Sequence, residues 1–125
     1  MVKALFDTNI LIDYLNGHEE ARNELSRYTE VAISMITWME VMAGATDLDR
    51  LETESFLQSF ELLPVDMHVA RRAVEIRQAK RVKLPDAIIW ATAQENNLLL
   101  VTRNPKDFHA DEPGVRIPYQ LQVNH

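Results

Sequence analysis

Short apolar runs alternate with stretches of helical spacing along this chain, and that alternation is its strongest constraint on fold. Residues 2–6, 31–34 and 98–102 are mostly apolar segments of strand length, broken only by Lys3 and ending in Ser34 and Thr102, the pattern of strands buried on both faces. Helical spacing is predicted between them over 9–15, 18–28 (Ala21, Leu25 and Tyr28 on one face), 38–45, 47–60, 67–81 and 86–96. Residues 60–65, interrupted by Pro64, predict an edge strand or an extended connection, and 116–119 a last short strand. Pro85 sits where a helix start tolerates proline, and Asn96-Asn97 breaks the helix before the 98–102 strand. Strands joined through helices must run parallel, with helices on both faces. The expected fold is α/β: a three-layer α/β/α sandwich with a mainly parallel sheet, in a single domain over 1–122. The tail 123–125 is either native or a tag remnant and carries no assigned function.

The junctions of this pattern concentrate polar chemistry. Asp7 closes the first strand, Glu40 and Asp86 lie in apolar helical segments, and Asn104 follows the 98–102 strand. In such a sheet these junctions gather outside the carboxyl ends of the strands. Carboxylates brought together there repel one another unless a cation joins them, and hard divalent ions take oxygen ligands of this kind. Each residue also has a plainer explanation. Asp7 precedes a helix and can cap it. Thr37 with Glu40 has the spacing of a capping box, Asp86 stands in a first turn, and Asn104 with Asp107 forms an N-cap pattern. Those explanations account for each position singly but not for convergence. Glu40 among apolar neighbours is expected in a cleft, and Asp86 beside Ala87-Ile88-Ile89-Trp90 is an awkward place for an unpartnered charge.

Composition removes other chemistries. The chain has no cysteine, which excludes disulfides, thiol nucleophiles and zinc–thiolate sites and suits a cytoplasmic setting. The apolar stretch before Asp7 is too short for a signal peptide or a membrane span. The three glycines are scattered, so no phosphate-binding loop is present, and no serine has a nucleophile-elbow context. His18, His68 and His109 share no ligand-like spacing; Met35, Met39 and Met42 beside Trp38 read as core packing. A net charge of −6 is unusual for a nucleic-acid binder, yet Arg71, Arg72, Arg77, Lys80, Arg81 and Lys83 cluster, and Arg103 and Lys106 flank Asn104. The plainer reading of the 71–83 cluster is a solvated helix face.

Taken together, the segments Leu5–Asp13 (with Asp7-Thr8-Asn9), Ser34–Gly44 (with Thr37 and Glu40), Leu84–Ala93 (with Pro85-Asp86) and Leu100–Phe108 (with Thr102-Arg103-Asn104 and Asp107) resemble, in order and spacing, the PIN-domain ribonucleases, specifically the VapC-type toxins of bacterial toxin–antitoxin pairs. The resemblance implies Mg²⁺ (or Mn²⁺) held by Asp7, Glu40 and Asp86, with Asn104 at a fourth position that is often aspartate in the family. It implies accessory roles for Thr8, Asn9, Thr102 and Arg103, with Asp13 and Asp107 structural. It implies a metal-dependent endoribonuclease acting on RNA such as tRNA or mRNA, a homodimer, and a VapB-type antitoxin through which alone operator DNA is met. Exposed apolar residues at Tyr14-Leu15 and along 48–60 are candidate antitoxin or dimer surfaces. The alternatives are a DNA- or flap-directed nuclease and a catalytically silent binding module.

Overall fold

The computed structural model describes residues 3–109 and 112–121; the tail 123–125 and Val2 of the first apolar run lie outside the described residues. A five-stranded sheet is built from β1 (Ala4–Phe6), β2 (Val31–Ser34), β3 (Glu61–Leu63), β4 (Leu99–Val101) and β5 (Val115–Arg116). Its order is β3-β2-β1-β4-β5, and every pairing is parallel. The 60–65 segment is thus an edge strand, and 116–119 contributes only its start, as β5 on the opposite edge.

Helices α1 (Thr8–Leu15), α2 (Glu19–Leu25), α3 (Met35–Ala43), α4 (Arg50–Leu57), α5 (Met67–Lys80) and α6 (Leu84–Glu95) complete the layers. Side chains alternate across each strand, so Leu5, Ala32 and Leu100 feed one core, with Val69, Ala73, Ile76 and Trp90 of α5 and α6. Ala4, Phe6, Ile33 and Val101 feed the other, with Ile10, Leu11, Ala21, Val41 and Leu57 of α1 to α4. Phe6 and Leu5 are fully buried; a side chain of that size contributes about 1.5–3 kcal/mol by leaving water. No helix among the described residues is long and apolar enough to cross a membrane.

Several local expectations shift. The capping box at Thr37 and Glu40 does not form. Ser34 caps α3 by accepting from the Ile36 amide, which places Thr37 inside the helix, fully buried. Ser34, the last residue of β2, is already extended as an N-cap must be, so the helix starts earlier than the Thr37 signal. The 47–60 segment yields only the two turns of α4. Thr53 and Leu57 face inward there, while Leu48 and Leu51 are 98% and 83% exposed. Met39, read as core, is 46% exposed. On α2 the buried face carries Ala21 and Glu24, the latter held by Arg116 Nε at 2.7 Å and by the Tyr28 hydroxyl at 2.8 Å.

Candidate active site

Parallel strand order reverses at β1: the chain leaves β1 for neighbouring β2, and returns to its other side only with β4. Such a switch point opens a crevice outside the carboxyl ends of the strands. Asp7 and Thr102 occupy it, one residue past β1 and β4 respectively, and the Asp7 amide donates to Val101 O at 2.8 Å, tying the two strand ends together.

Asp7 does both jobs that the sequence offered it. Its Oδ1 accepts from the Thr8 amide at 2.7 Å, capping α1. Its Oδ2 accepts from Thr102 Oγ1 at 2.7 Å and from Asn9 Nδ2 at 3.2 Å. The residue is only 4% exposed, and burial pushes its carboxyl up to about 6; Glu40 and Asp107 add repulsion, against the lowering effect of the Thr102 and Thr8 hydrogen bonds.

Glu40 reaches the same crevice from α3. Its residue surface is exposed rather than sunk in a cleft, but Oε1 is fixed by the Thr8 hydroxyl at 2.7 Å. The Thr8 and Thr37 hydroxyl oxygens lie 3.1 Å apart, so Thr37 supports the hydroxyl that orients Glu40. Asp86 comes from the first turn of α6. Burial first, then the charges of Asp7 and Asp107, a hydrogen bond with Asp107 and the charge of Glu40 push it up to about 7. Each of the three acids is therefore in electrostatic contact with the others.

Asn104 lies beside them with its carbonyl oxygen committed elsewhere. Oδ1 accepts from the Lys106 amide at 3.1 Å and the Asp107 amide at 3.3 Å, the turn-capping use of asparagine. Its Nδ2 donates to Asp107 Oδ2 at 2.9 Å, and its own amide donates to Thr102 Oγ1 at 3.1 Å. Asp107, which the sequence reading kept as structural, is thereby directed at Asp86 and Asp7. The signal was present in the four-residue turn itself, where the cap points the last residue inward.

Among the accessory residues, Arg103 donates its amide to Asn9 Oδ1 at 3.3 Å. Its guanidinium grips buried Asp13 in a two-pronged pair, Nη2 to Oδ1 at 3.0 Å, and the Tyr119 hydroxyl completes that carboxylate at 2.7 Å. The pair keeps the Arg103 guanidinium cationic and raises the Tyr119 phenol above its usual range through burial and the Asp13 bond. Arg103 is thus a strut between β4 and α1.

No trio of acidic or histidine side chains among the described residues is already arranged as a finished chelate. The donor chemistry nonetheless fits a hard divalent cation: carboxylate oxygens only, with Asp7 and Asp86 carrying raised proton affinity because burial desolvates them and neighbouring carboxylates repel them. An ion there would take the place of the protons that the cluster otherwise retains.

A parallel α/β sandwich with an acid cluster at its switch point defines the class, and the comparison with known families agrees. The chain belongs to the PIN-domain family, whose profile matches residues 4–111. It is 33% identical over 108 residues to Ribonuclease VapC10 of Mycobacterium tuberculosis, covering 80% of this chain and 81% of that protein. Among solved structures, a toxin–antitoxin complex from Klebsiella pneumoniae is 49% identical, with a TM-score of 0.89 over 94% of this chain and 99% of that one. DNA-bound VapBC from Salmonella typhimurium is 30% identical, with a TM-score of 0.75 over 93% and 96%.

Proposed function

We propose that the chain is a metal-dependent endoribonuclease toxin, held in check by a VapB-type antitoxin. The observation that carries this reading is the electrostatic contact of Asp86 with Asp7, Glu40 and Asp107, and of Asp7 with Glu40 and Asp107, in the switch-point crevice. The similarity to Ribonuclease VapC10 and to toxin–antitoxin complexes supports the substrate class and the partner.

In this reading Asp7, Glu40, Asp86 and Asp107 hold Mg²⁺ or Mn²⁺, and Asn104 serves by positioning Asp107 rather than by binding metal. When bound, a divalent cation lowers the pKa of an attacking water and offsets charge developing on the phosphate. Thr102 and Asn9 orient the Asp7 carboxylate, and Thr8 orients Glu40. A P–O bond forms from water as the P–O3′ bond breaks, the water proton passing to a cluster carboxylate. The 3′ oxygen leaves with a proton from solvent. Among the described residues no histidine pair stands ready to activate the 2′-hydroxyl, so the expected products carry 5′-phosphate and 3′-hydroxyl ends.

Among the described residues no cation is ion-paired to an acid of the cluster, and a basic side chain of the antitoxin is the proposed plug. Exposed Leu48, Leu51 and Leu15 are the proposed apolar contacts, for the antitoxin or for a second copy in a homodimer.

The test is cleavage of labelled RNA and matched DNA by antitoxin-free protein with Mg²⁺, Mn²⁺ or EDTA. Metal-dependent RNA cleavage with 5′-phosphate ends is expected. Full activity in EDTA, cyclic 2′,3′-phosphate ends, or a preference for DNA overturns the reading. The lack of a finished chelate favours one rival, a silent binding module. Calorimetry separates the two: a silent module takes up no Mg²⁺ at millimolar concentration.

A further inference from the structure

The basic cluster between residues 71 and 83 remains unused by the reaction, in a chain whose net charge is −6. The structure divides it into two parts. Arg72 is neutralised by Glu75 at 3.3 Å and Glu95 at 3.4 Å, and Lys80 by Glu112 at 3.0 Å. Arg71, Arg77, Arg81 and Lys83, and outside the cluster Lys106, form no ion pair among the described residues, and all five are exposed. Arg71 and Arg77 lie farther along α5, within Met67–Lys80, and the other three do not.

They collect beside the acids. Arg81 ends α5, Lys83 immediately precedes α6 three residues before Asp86, and Lys106 lies on the turn that delivers Asp107. Arg81, Lys80, Lys106, His109 and Asp107 line a cleft of about 250 Å³ floored by Trp90. Asp107 is common to this cleft and to the acid cluster, so the two are continuous. Arg81 is moreover held at φ 56°, the left-handed conformation in which a helix end normally carries glycine.

We infer that Arg81, Lys83 and Lys106 form a subsite for the RNA backbone phosphate next to the scissile one. The inference rests on the nuclease reading above and adds the path of the strand. A polynucleotide cut at the acid cluster must place its next phosphate one sugar away; the cleft offers Arg81 and Lys106 at that side, and Lys83 stands outside its lining at the start of α6. The contact is to the phosphate alone and gives no base preference.

The test compares wild-type protein with Lys83→Gln/Lys106→Gln and with Arg81→Gly, using a labelled single-stranded RNA oligonucleotide from about 50 to 200 mM salt. The double variant is expected to raise KM about fivefold to tenfold at low salt with kcat within about twofold. The log–log salt dependence should fall by about 0.7 for each cation removed. Arg81→Gly should raise KM while its Tm stays level or rises, which separates lost charge from lost fold. An Arg71→Gln/Arg77→Gln control, farther along α5, should leave KM near the wild-type value.

Unchanged KM and salt dependence in both test variants overturn the subsite, as does an equal effect in the control. Fluorescence anisotropy of the same RNA in EDTA gives a second readout. If wild-type protein cleaves no RNA the nuclease reading fails, whereas weakened anisotropy in the variants alone still supports the phosphate subsite. Wild-type RNA binding by the variants, combined with loss of a co-purifying antitoxin, assigns the cleft to the protein partner and overturns the inference.

Discussion

Replacing Asp7 by asparagine separates a metal-site acid from a helix cap, because the two roles predict stability changes of opposite sign. The Asp7 carboxyl titrates at about 6 in the fold against 3.8 for an unperturbed group. Since the folded value is the higher one, folding retains a proton that the unfolded chain gives up. The associated stability is full below about pH 4 and is lost as the pH rises through 6. The interval corresponds to about 3 kcal/mol at pH 8, where ionised Asp7 burdens the metal-free fold. Asparagine carries no such burden. Its Oδ1 can keep the Thr8 amide, but its Nδ2 meets Asn9 Nδ2 and forces the Thr102 hydroxyl to turn and accept. One unsatisfied donor of this kind costs about 1–2 kcal/mol. Metal-free Asp7→Asn should therefore be about 1–2 kcal/mol more stable than wild type at pH 8, several degrees in Tm. At pH 4 it should be less stable by a similar amount. Thermal melts in EDTA at both pH values, with Mg²⁺ titration calorimetry and RNA cleavage, give the answer. RNA cleavage and Mg²⁺ binding should be lost. A variant that is destabilised equally at both pH values, still cleaves RNA and still binds Mg²⁺ would refute the reasoning.

Thr102→Val removes the hydroxyl that donates to Asp7 Oδ2 and accepts from the Asn104 amide; the Asp7 pKa should rise further and cleavage fall by about tenfold or more, read from pH–rate profiles. Glu24→Ala breaks a buried pair with Arg116 and should cost about 2–4 kcal/mol in urea unfolding while kcat stays unchanged. Asn104→Asp should weaken Mg²⁺ binding in calorimetry, because it sets a like charge against Asp107 where Nδ2 now donates; tighter binding would make residue 104 itself a ligand. Saturating Mg²⁺ should raise the wild-type Tm at pH 8 and leave that of Asp86→Asn nearly unmoved.

The sheet and the order of its layers were legible because burial on both faces leaves a coarse mark: mostly apolar runs such as 31–34 and 98–102 have few other uses. Strand ends and helix starts were less legible. Ser34 and Thr37 are both good caps, and the choice between them depends on where β2 stops pairing with β3, a register no local pattern contains. Glu24 is a sharper case. On a helix of charged residues nothing local distinguishes it from Glu19 or Glu20, and only Arg116, far along the chain on β5, makes its burial tolerable. Leu48 and Leu51 show the reverse, apolar residues whose spacing fits a helix face but which this chain leaves facing outward.

The candidate site was legible at Asp7, Glu40 and Asp86 because strand-to-helix junctions of a parallel sheet converge, whatever the side chains are. The fourth position was harder for a reason visible in one turn. Asn104 and Asp107 stand three residues apart, and either can be the end that faces the acids. Hydrogen-bond capacity decides between them. The asparagine carbonyl satisfies two backbone amides of the turn, and its amide group, the only donor on either side chain, satisfies Asp107. Exchanging the two roles would leave a carboxylate capping the turn and an amide facing three acids, with no donor left to hold the inward residue in place. The departure from an acidic residue at 104 is therefore no loss of charge at the centre. It supplies the donor that orients the carboxylate three residues later.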